Sequence, residues 1–161
     1  MRKKERQLSE EEAYAILGAS KEITLSMWDS TENEPYGVIV NAILIGKTLY
    51  FHGAQEGRKL DILRSNAHVC ITAVSNCAII EEKYTTAYES IVAYAHAQIL
   101  TDTKEKVKVL SAICSKFAPT NDFEQTQKII EKAIDHTAIV ALPIERITAK
   151  GSNRQRLKKW N

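Results

Sequence analysis

The run YFHGAQEGRKLDILR, residues 50–64, sets an aromatic pair, a histidine, two glycines and two adjacent cations ahead of a segment with helical spacing. A helix starting after Gly57 would present unpaired backbone N–H groups, and Arg58 and Lys59 would add positive charge at the same end, a combination suited to a phosphate. Lys59 is the leading candidate for that contact. The glycine patterns of dinucleotide and nucleoside-triphosphate sites are both missing, so the same cations also fit an ordinary solvated helix start. His52, next to Gly53 at a strand end, has the chemistry to touch a cofactor or ligate a metal. His68 and His96 are distant in sequence, however, and no HxH or HxxxH spacing builds a metal set. Ser90 with Ser111 or Asp61 makes no recognisable nucleophile arrangement and GxSxG is absent, which leaves hydrolysis unsupported. Tyr84, Tyr88 and Tyr94 offer a stacking surface or plain core packing, and Ser90 a ligand hydroxyl or a strand-start hydrogen bond.

The elements that would position these groups can be read from patterning. Ser9, with Glu12 three positions on, has the form of a capping box, Leu8 acts as the staple, and Gly18 ends a helix of about two turns. ITLSMW at 23–28 alternates as a strand, DSTENEP breaks it, and YGVIVNAILIG reads as one well-buried strand ending near Gly46. KTLYFHG places Leu49 and Phe51 on one face, with Thr48, Tyr50 and His52 on the other. Leu60, Ile62 and Leu63 supply the apolar side of the following helix. HVCITAV returns to strand character, residues 76–89 read as irregular around one short strand, and SIVAYAHAQIL directs Ile91, Ala93, Ala95 and Ala97 to one side. Helices follow over 102–116, with Val107, Leu110, Ile113 and Cys114 inward, and over NDFEQTQKIIEKAI, with Phe123, Ile129, Ile130 and Ala133 or Ile134 available for packing. TAIVALPIERITAK closes the core as a strand in which Pro143 marks an edge or a bulge. Short, mostly antiparallel strands with helices around them point to a small barrel, because closure removes exposed edges.

With 161 residues, 44% hydrophobic and 26% charged, the chain fits a single soluble globular domain. Its net charge of +2 conceals an asymmetry. Arg146, Lys150, Arg154, Arg156, Lys158 and Lys159 follow the last acidic residue, Glu145, and leave 16 basic against 20 acidic groups in the first 145 residues, a net −4. An acidic body with a basic tail at about 151–161 does not favour nucleic acid, whose phosphates need clustered cations. Cys70, Cys77 and Cys114 form no CxxC pair. No apolar run of roughly 18 residues would span a membrane, and the start lacks a secretory pattern, so a cytoplasmic protein is expected.

The ordered set EPYGVIVN, LYFHGAQEGRKLDILRSN, YTTAYESIVAYAHAQI and AIVALPIERITAK resembles the flavin-binding split-barrel proteins related to pyridoxamine phosphate oxidase, on the branch that contains nitroimidazole-resistance proteins. The resemblance spans roughly residues 3–150. It implies a mainly β fold with flanking helices, a split β-barrel of the FMN-binding type, assembled as a homodimer with FMN between subunits. Flavin contacts are implied at Pro35, Tyr36, Gly37 and Val38 and at Phe51, His52 and Gly53, with the phosphate near Arg58 and Lys59 and a further polar contact at Ser90. Two positions depart from the family pattern: Ile39 replaces a common proline, and Ala95 a common glycine, which would narrow the space beside a cofactor. The implied activity is an FMN-dependent oxidoreductase that takes electrons from NAD(P)H and passes them to a small aromatic or nitroaromatic compound. No catalytic acid is assigned. The alternative is a non-catalytic flavin- or haem-binding sensor or carrier, with His52 as the haem contact.

Overall fold

The structure, a computed structural model, describes residues 3–157; Lys158 and Lys159 of the expected basic tail lie outside them. Helix α1 (Glu10–Ala19) begins at the expected capping box: the Ser9 hydroxyl accepts from the Glu12 N–H at 3.1 Å and Glu12 accepts from the Ser9 N–H at 2.9 Å. It runs one residue past Gly18, to Ala19, and the N–H of the following Ser20 caps the last turn. Strands β1 (Glu22–Asp29), β2 (Glu34–Asn41), β3 (Ile43–Ile45) and β4 (Thr48–Ala54) precede α2 (Arg58–Ser65). Then come β5 (His68–Ile80), β6 (Thr85–His96), β7 (Gln98–Ile99), α3 (Thr103–Phe117), α4 (Phe123–Ala133), β8 (Thr137–Ser152) and α5 (Arg154–Leu157). Asp102 and Asp122 cap α3 and α4 by accepting from the N–H groups of Glu105 and Gln125.

Three local expectations change. YGVIVNAILI is two strands, broken at Ala42, and β2 is largely exposed rather than buried. The irregular stretch expected over 76–89 is a regular hairpin: β5 continues to Ile80, a single 3-10 turn follows, and β6 starts at Thr85. On α4, Ile130 and the following Ile134 are buried, but Phe123 and Ile129 face solvent.

The expected split barrel is also overturned, and a mixed α/β fold with an open sheet takes its place. All ladders are antiparallel and the strand path is β2-β1-β5-β6-β8-β4-β3, with β7 also on β8. Among the described residues no ladder joins β2 to β3, the two ends of that path. The edge problem that made closure attractive is handled otherwise. β3 has only three residues, and β2 carries Glu34 and Pro35, a charge and a missing donor that discourage further pairing.

The main core lies on one face of the sheet, beneath α1 and α2, where Leu25, Phe51, Ile71, Ile91, Val140 and Leu142 are almost fully enclosed. On the other face α3 and α4 cover only β3, β4 and the first half of β8, through Val109, Leu110, Ile113 and Ile130 against Ile43 and Ile139. The rest of that face, on β1, β2, β5, β6 and the second half of β8, carries no helix among the described residues. Among the described residues no helix is long and apolar enough to cross a membrane.

Lys116, at the end of α3, ties the helix layers to the sheet. Its Nζ donates to the carbonyls of Gly18 at 3.3 Å, Ser20 at 3.1 Å and Ala42 at 3.1 Å, and burial lowers its pKa. Lys116→Met keeps the aliphatic stem and strands three acceptors, so a loss of about 1–3 kcal/mol is expected. Urea unfolding should show a lower midpoint with an unchanged slope; an unaltered midpoint would contradict this role.

Candidate functional site

Strand β4 and the first turn of α2 build the site. On β4, Leu49 and Phe51 point into the main core, while His52 pairs with Ile139 on the opposite side of the sheet. Gly57, before α2, has φ +119° and ψ 157°, a backbone conformation that side chains rarely adopt, and its carbonyl takes the N–H groups of Leu60 at 2.8 Å and Asp61 at 3.2 Å. No side chain caps this end. The N–H groups of Arg58 and Lys59 are first-turn donors, which a helix cannot satisfy internally.

The two adjacent cations go to different places. Arg58 Nε donates to Asp29 Oδ2 at 2.8 Å and its Nη2 to Glu34 Oε1 at 2.7 Å, with the guanidinium 4.7 Å from the Tyr36 ring centroid. Donating hydrogen bonds to Glu34 and then to Asp29 raises its pKa. Asp29 is 4% exposed, and its other oxygen accepts the N–H groups of Thr31 at 3.0 Å and Glu32 at 3.2 Å. The Arg58 hydrogen bond is the largest cause holding the Asp29 carboxyl below its ordinary value; burial opposes it and the two backbone donors assist.

Lys59 turns toward β4. Its Nζ lies 5.2 Å from the Phe51 ring centroid, and among the described residues it has no carboxylate partner. Partial burial lowers its pKa. A Cβ on Gly53 would stand 3.4 Å from this Nζ, so the missing side chain keeps the ammonium group clear above the strand. His52 has an exposed edge, yet burial of the remainder lowers its pKa and the nearby Lys59 charge lowers it further. The arrangement is a half-buried cation without an anion, beside free helix amides and two glycines, which is chemistry for holding a phosphate or carboxylate.

Of the residues expected from sequence, Phe51, His52, Gly53 and Lys59 are brought together. Tyr36 meets them through Arg58, and Val38 points into the main core. Pro35, Gly37 and Ser90 are on the uncovered face: Pro35 and Gly37 pair with Trp28 and Ser26, and Ser90 lies between Val74 and Lys150. Ser90 is separated from the His52 partner Ile139 by eleven positions along β8, roughly 36 Å of strand contour at ~3.3 Å per residue. Asp29 and Glu34 are functional neighbours that sequence reading missed. Their signal was a pair of carboxylates flanking the DSTENEP turn, with nothing local to show that Arg58 would reach them.

Residues 9–151 match the family described as pyridoxamine 5'-phosphate oxidase. Among solved structures, the chain is similar to a candidate 5-nitroimidazole antibiotic resistance protein from Bacteroides thetaiotaomicron, with 22% identity, 89% of this chain and 85% of that one covered, and a TM-score of 0.75. It is similar as well to a flavocytochrome from Azotobacter vinelandii, with 20% identity, 90% and 68% covered and a TM-score of 0.76. A FAD and haem binding protein from Mycobacterium smegmatis gives 18% identity, 92% and 74% covered and a TM-score of 0.74. At these identities the structural likeness shows a shared fold. No curated protein matches significantly. The family match over most of the chain, carried on this shared fold, makes the protein a member of the pyridoxamine 5'-phosphate oxidase family.

Proposed function

We propose that this protein is an FMN-dependent oxidoreductase that takes electrons from a reduced nicotinamide cofactor and passes them to a small aromatic or nitroaromatic compound. The observation that carries the reading is Lys59, a half-buried cation with no carboxylate among the described residues, at the open end of α2 and beside Gly53. FMN supplies the two-electron chemistry when bound; the chain supplies binding and orientation. Lys59 and the first-turn amides of α2 would hold the phosphate. Arg58, committed to Asp29 and Glu34, would act as a positioning residue that fixes Tyr36 and the start of the helix. Phe51, His52 and Gly53 would border the ring. Ser90, eleven positions along β8 from the partner of His52, would reach that flavin only from a second copy, which motivates a homodimer with FMN between subunits; Pro35 and Gly37 would join it from the sheet face that carries His52. A single domain in a cytoplasmic setting completes the proposal.

A second reading has one observation in its favour. His52 combines an exposed ring edge with a lowered pKa, and haem ligation needs a neutral imidazole. Two structural relatives are a flavocytochrome and a haem-binding protein. A Soret band on haem titration that disappears in His52→Ala would favour a haem carrier.

Titration with FMN and with riboflavin, followed by flavin fluorescence, tests the phosphate site. FMN should bind at least tenfold more tightly than riboflavin, and Lys59→Met should remove most of that difference, since a charge-assisted hydrogen bond is worth about 1.5–3 kcal/mol. Equal FMN affinity before and after the substitution, at both low and physiological salt, would sink the placement. Anaerobic reoxidation of the reduced flavin should then accelerate on adding nitroaromatics; no acceleration would favour a carrier.

The titration of His52 gives a check without turnover. Its midpoint in imidazole NMR should lie below the ordinary 6.5. In Lys59→Met it should rise partway, because the repelling charge is gone while burial remains. Since the folded-state pKa is depressed, the His52 contribution to stability is present above the ordinary value and declines as pH falls through it. A midpoint indifferent to Lys59 would refute the coupling.

A further inference from the structure

A cavity of about 490 Å³ lies between α2 and the turn that joins β1 to β2. Arg58, Asp61, Ile62 and Ser65 line it from the helix, a spacing that puts all four on one face. Asp29, Glu32 and Glu34 line it from the turn. Lys59, one position after Arg58, is turned away from that face toward Phe51 on β4. The first turn of α2 is therefore shared. Lys59 stands on one side of it and a wall rich in carboxylates on the other.

The charges on that wall do not cancel. Arg58 is the only cation lining the cavity, and it is shared by two carboxylates, Asp29 and Glu34, so the trio keeps one negative charge in excess. Asp61 is matched by Arg64 at 3.0 Å. Glu32 has no ion pair among the described residues, and neither has Glu56, which immediately precedes Gly57 at the start of the helix. One unpaired ammonium group thus serves the first turn of α2, and three uncompensated negative charges border it. Glu32 and Glu56 are exposed, so their field is strongest at short range and low salt.

Such a site separates a terminal phosphate from one that continues into a second. A phosphate monoester concentrates about 1.5–2 negative charges on one phosphorus at neutral pH. A diphosphate that joins two nucleosides spreads a similar charge over both phosphorus atoms, so only half of it can lie at Lys59 and the rest falls along the flank of the turn. We infer, on the reading that Lys59 and the α2 amides hold a flavin phosphate, that Glu32 and Glu56 are specificity-determining residues that select a flavin ending in one phosphate over a flavin dinucleotide. The excess charge of Asp29 and Glu34 over Arg58 adds to their effect. Selectivity of this kind comes from a built-in repulsive element as much as from the attraction of Lys59.

The test is equilibrium dialysis of the full chain against riboflavin, FMN and FAD, at low and at physiological salt. At low salt FMN should bind about tenfold or more tightly than FAD, and salt should narrow that ratio by screening the exposed carboxylates. Glu32→Gln combined with Glu56→Gln should narrow it roughly threefold or more, with riboflavin affinity unchanged as the control for the fold. FAD binding as tightly as FMN, or a variant that keeps the ratio of the unaltered protein, would overturn the inference while leaving any advantage of FMN over riboflavin, and so the phosphate site, in place. FMN binding no better than riboflavin would remove the phosphate site and this selectivity with it. Should the variant lose riboflavin as well, the salt dependence of the FMN-to-FAD ratio on the unaltered protein decides alone, and a ratio indifferent to salt counts against the two glutamates.

Discussion

Strand β8 has to satisfy two different sets of partners with one backbone. Its first half pairs with β4 and β7 and its second with β6. The first half is enclosed on both sides, and five consecutive residues, Ala138 to Leu142, are buried; after the bulge at Glu145 only one side is covered and Arg146 and Thr148 face out. The change occurs just after Pro143, which cannot donate to a ladder, while the next N–H, of Ile144, bonds the carbonyl of Lys47 outside the ladders. Everything distal depends on this hand-over. It fixes where β4 lies, hence where Phe51 and Gly53 meet α2, and it fixes which side chains the uncovered face presents.

The division of labour between Arg58 and Lys59 follows from burial of one carboxylate. Asp29 sits at the end of β1 with its side chain enclosed, and an enclosed carboxylate needs donors on both oxygens. Two turn amides serve one oxygen and Arg58 the other. That commitment removes the more strongly hydrogen-bonding cation from the mouth of α2 and leaves the point charge of Lys59 there. Exchanging the two residue types would not be neutral: a planar fork over Phe51 would meet the strand where Lys59 now has only the Gly53 clearance.

Much of the local structure was legible because its causes are local. The Ser9 capping box, the α2 spacing of Leu60, Ile62 and Leu63, and the alternation of Leu49 and Phe51 each depend on residues within a few positions of one another. The 76–89 hairpin was not legible, because Ser75 and Asn76 look like turn residues. In the fold they occupy a bulge, and both side chains bond Glu89 across the ladder. Closure of the sheet was a global inference from strand count, and it failed since short and charged edges solve the same problem. The candidate site divides along the same line. Lys59 and its glycines could be read from one stretch, whereas the Asp29–Arg58 pair spans 29 positions and depends on a register no local pattern supplies.

The basic tail shows how charge counts mislead without geometry. Arg154 looked like one of several unmatched cations, yet its Nη1 donates to Glu12 at 2.6 Å and its Nε to Glu89 at 2.6 Å. It therefore joins the cap of the first long helix to the middle of the longest hairpin. Gly151 is required for this path, since a Cβ there would come within 2.7 Å of the Arg154 side chain. Glu12 is thus shared between two tasks, closing the Ser9 box and receiving Arg154, and both lower its pKa, the Ser9 backbone bond most. The ion pairs of Arg154 fasten the start of that tail to the body of the chain, while Arg146, within β8, presents its charge to solvent.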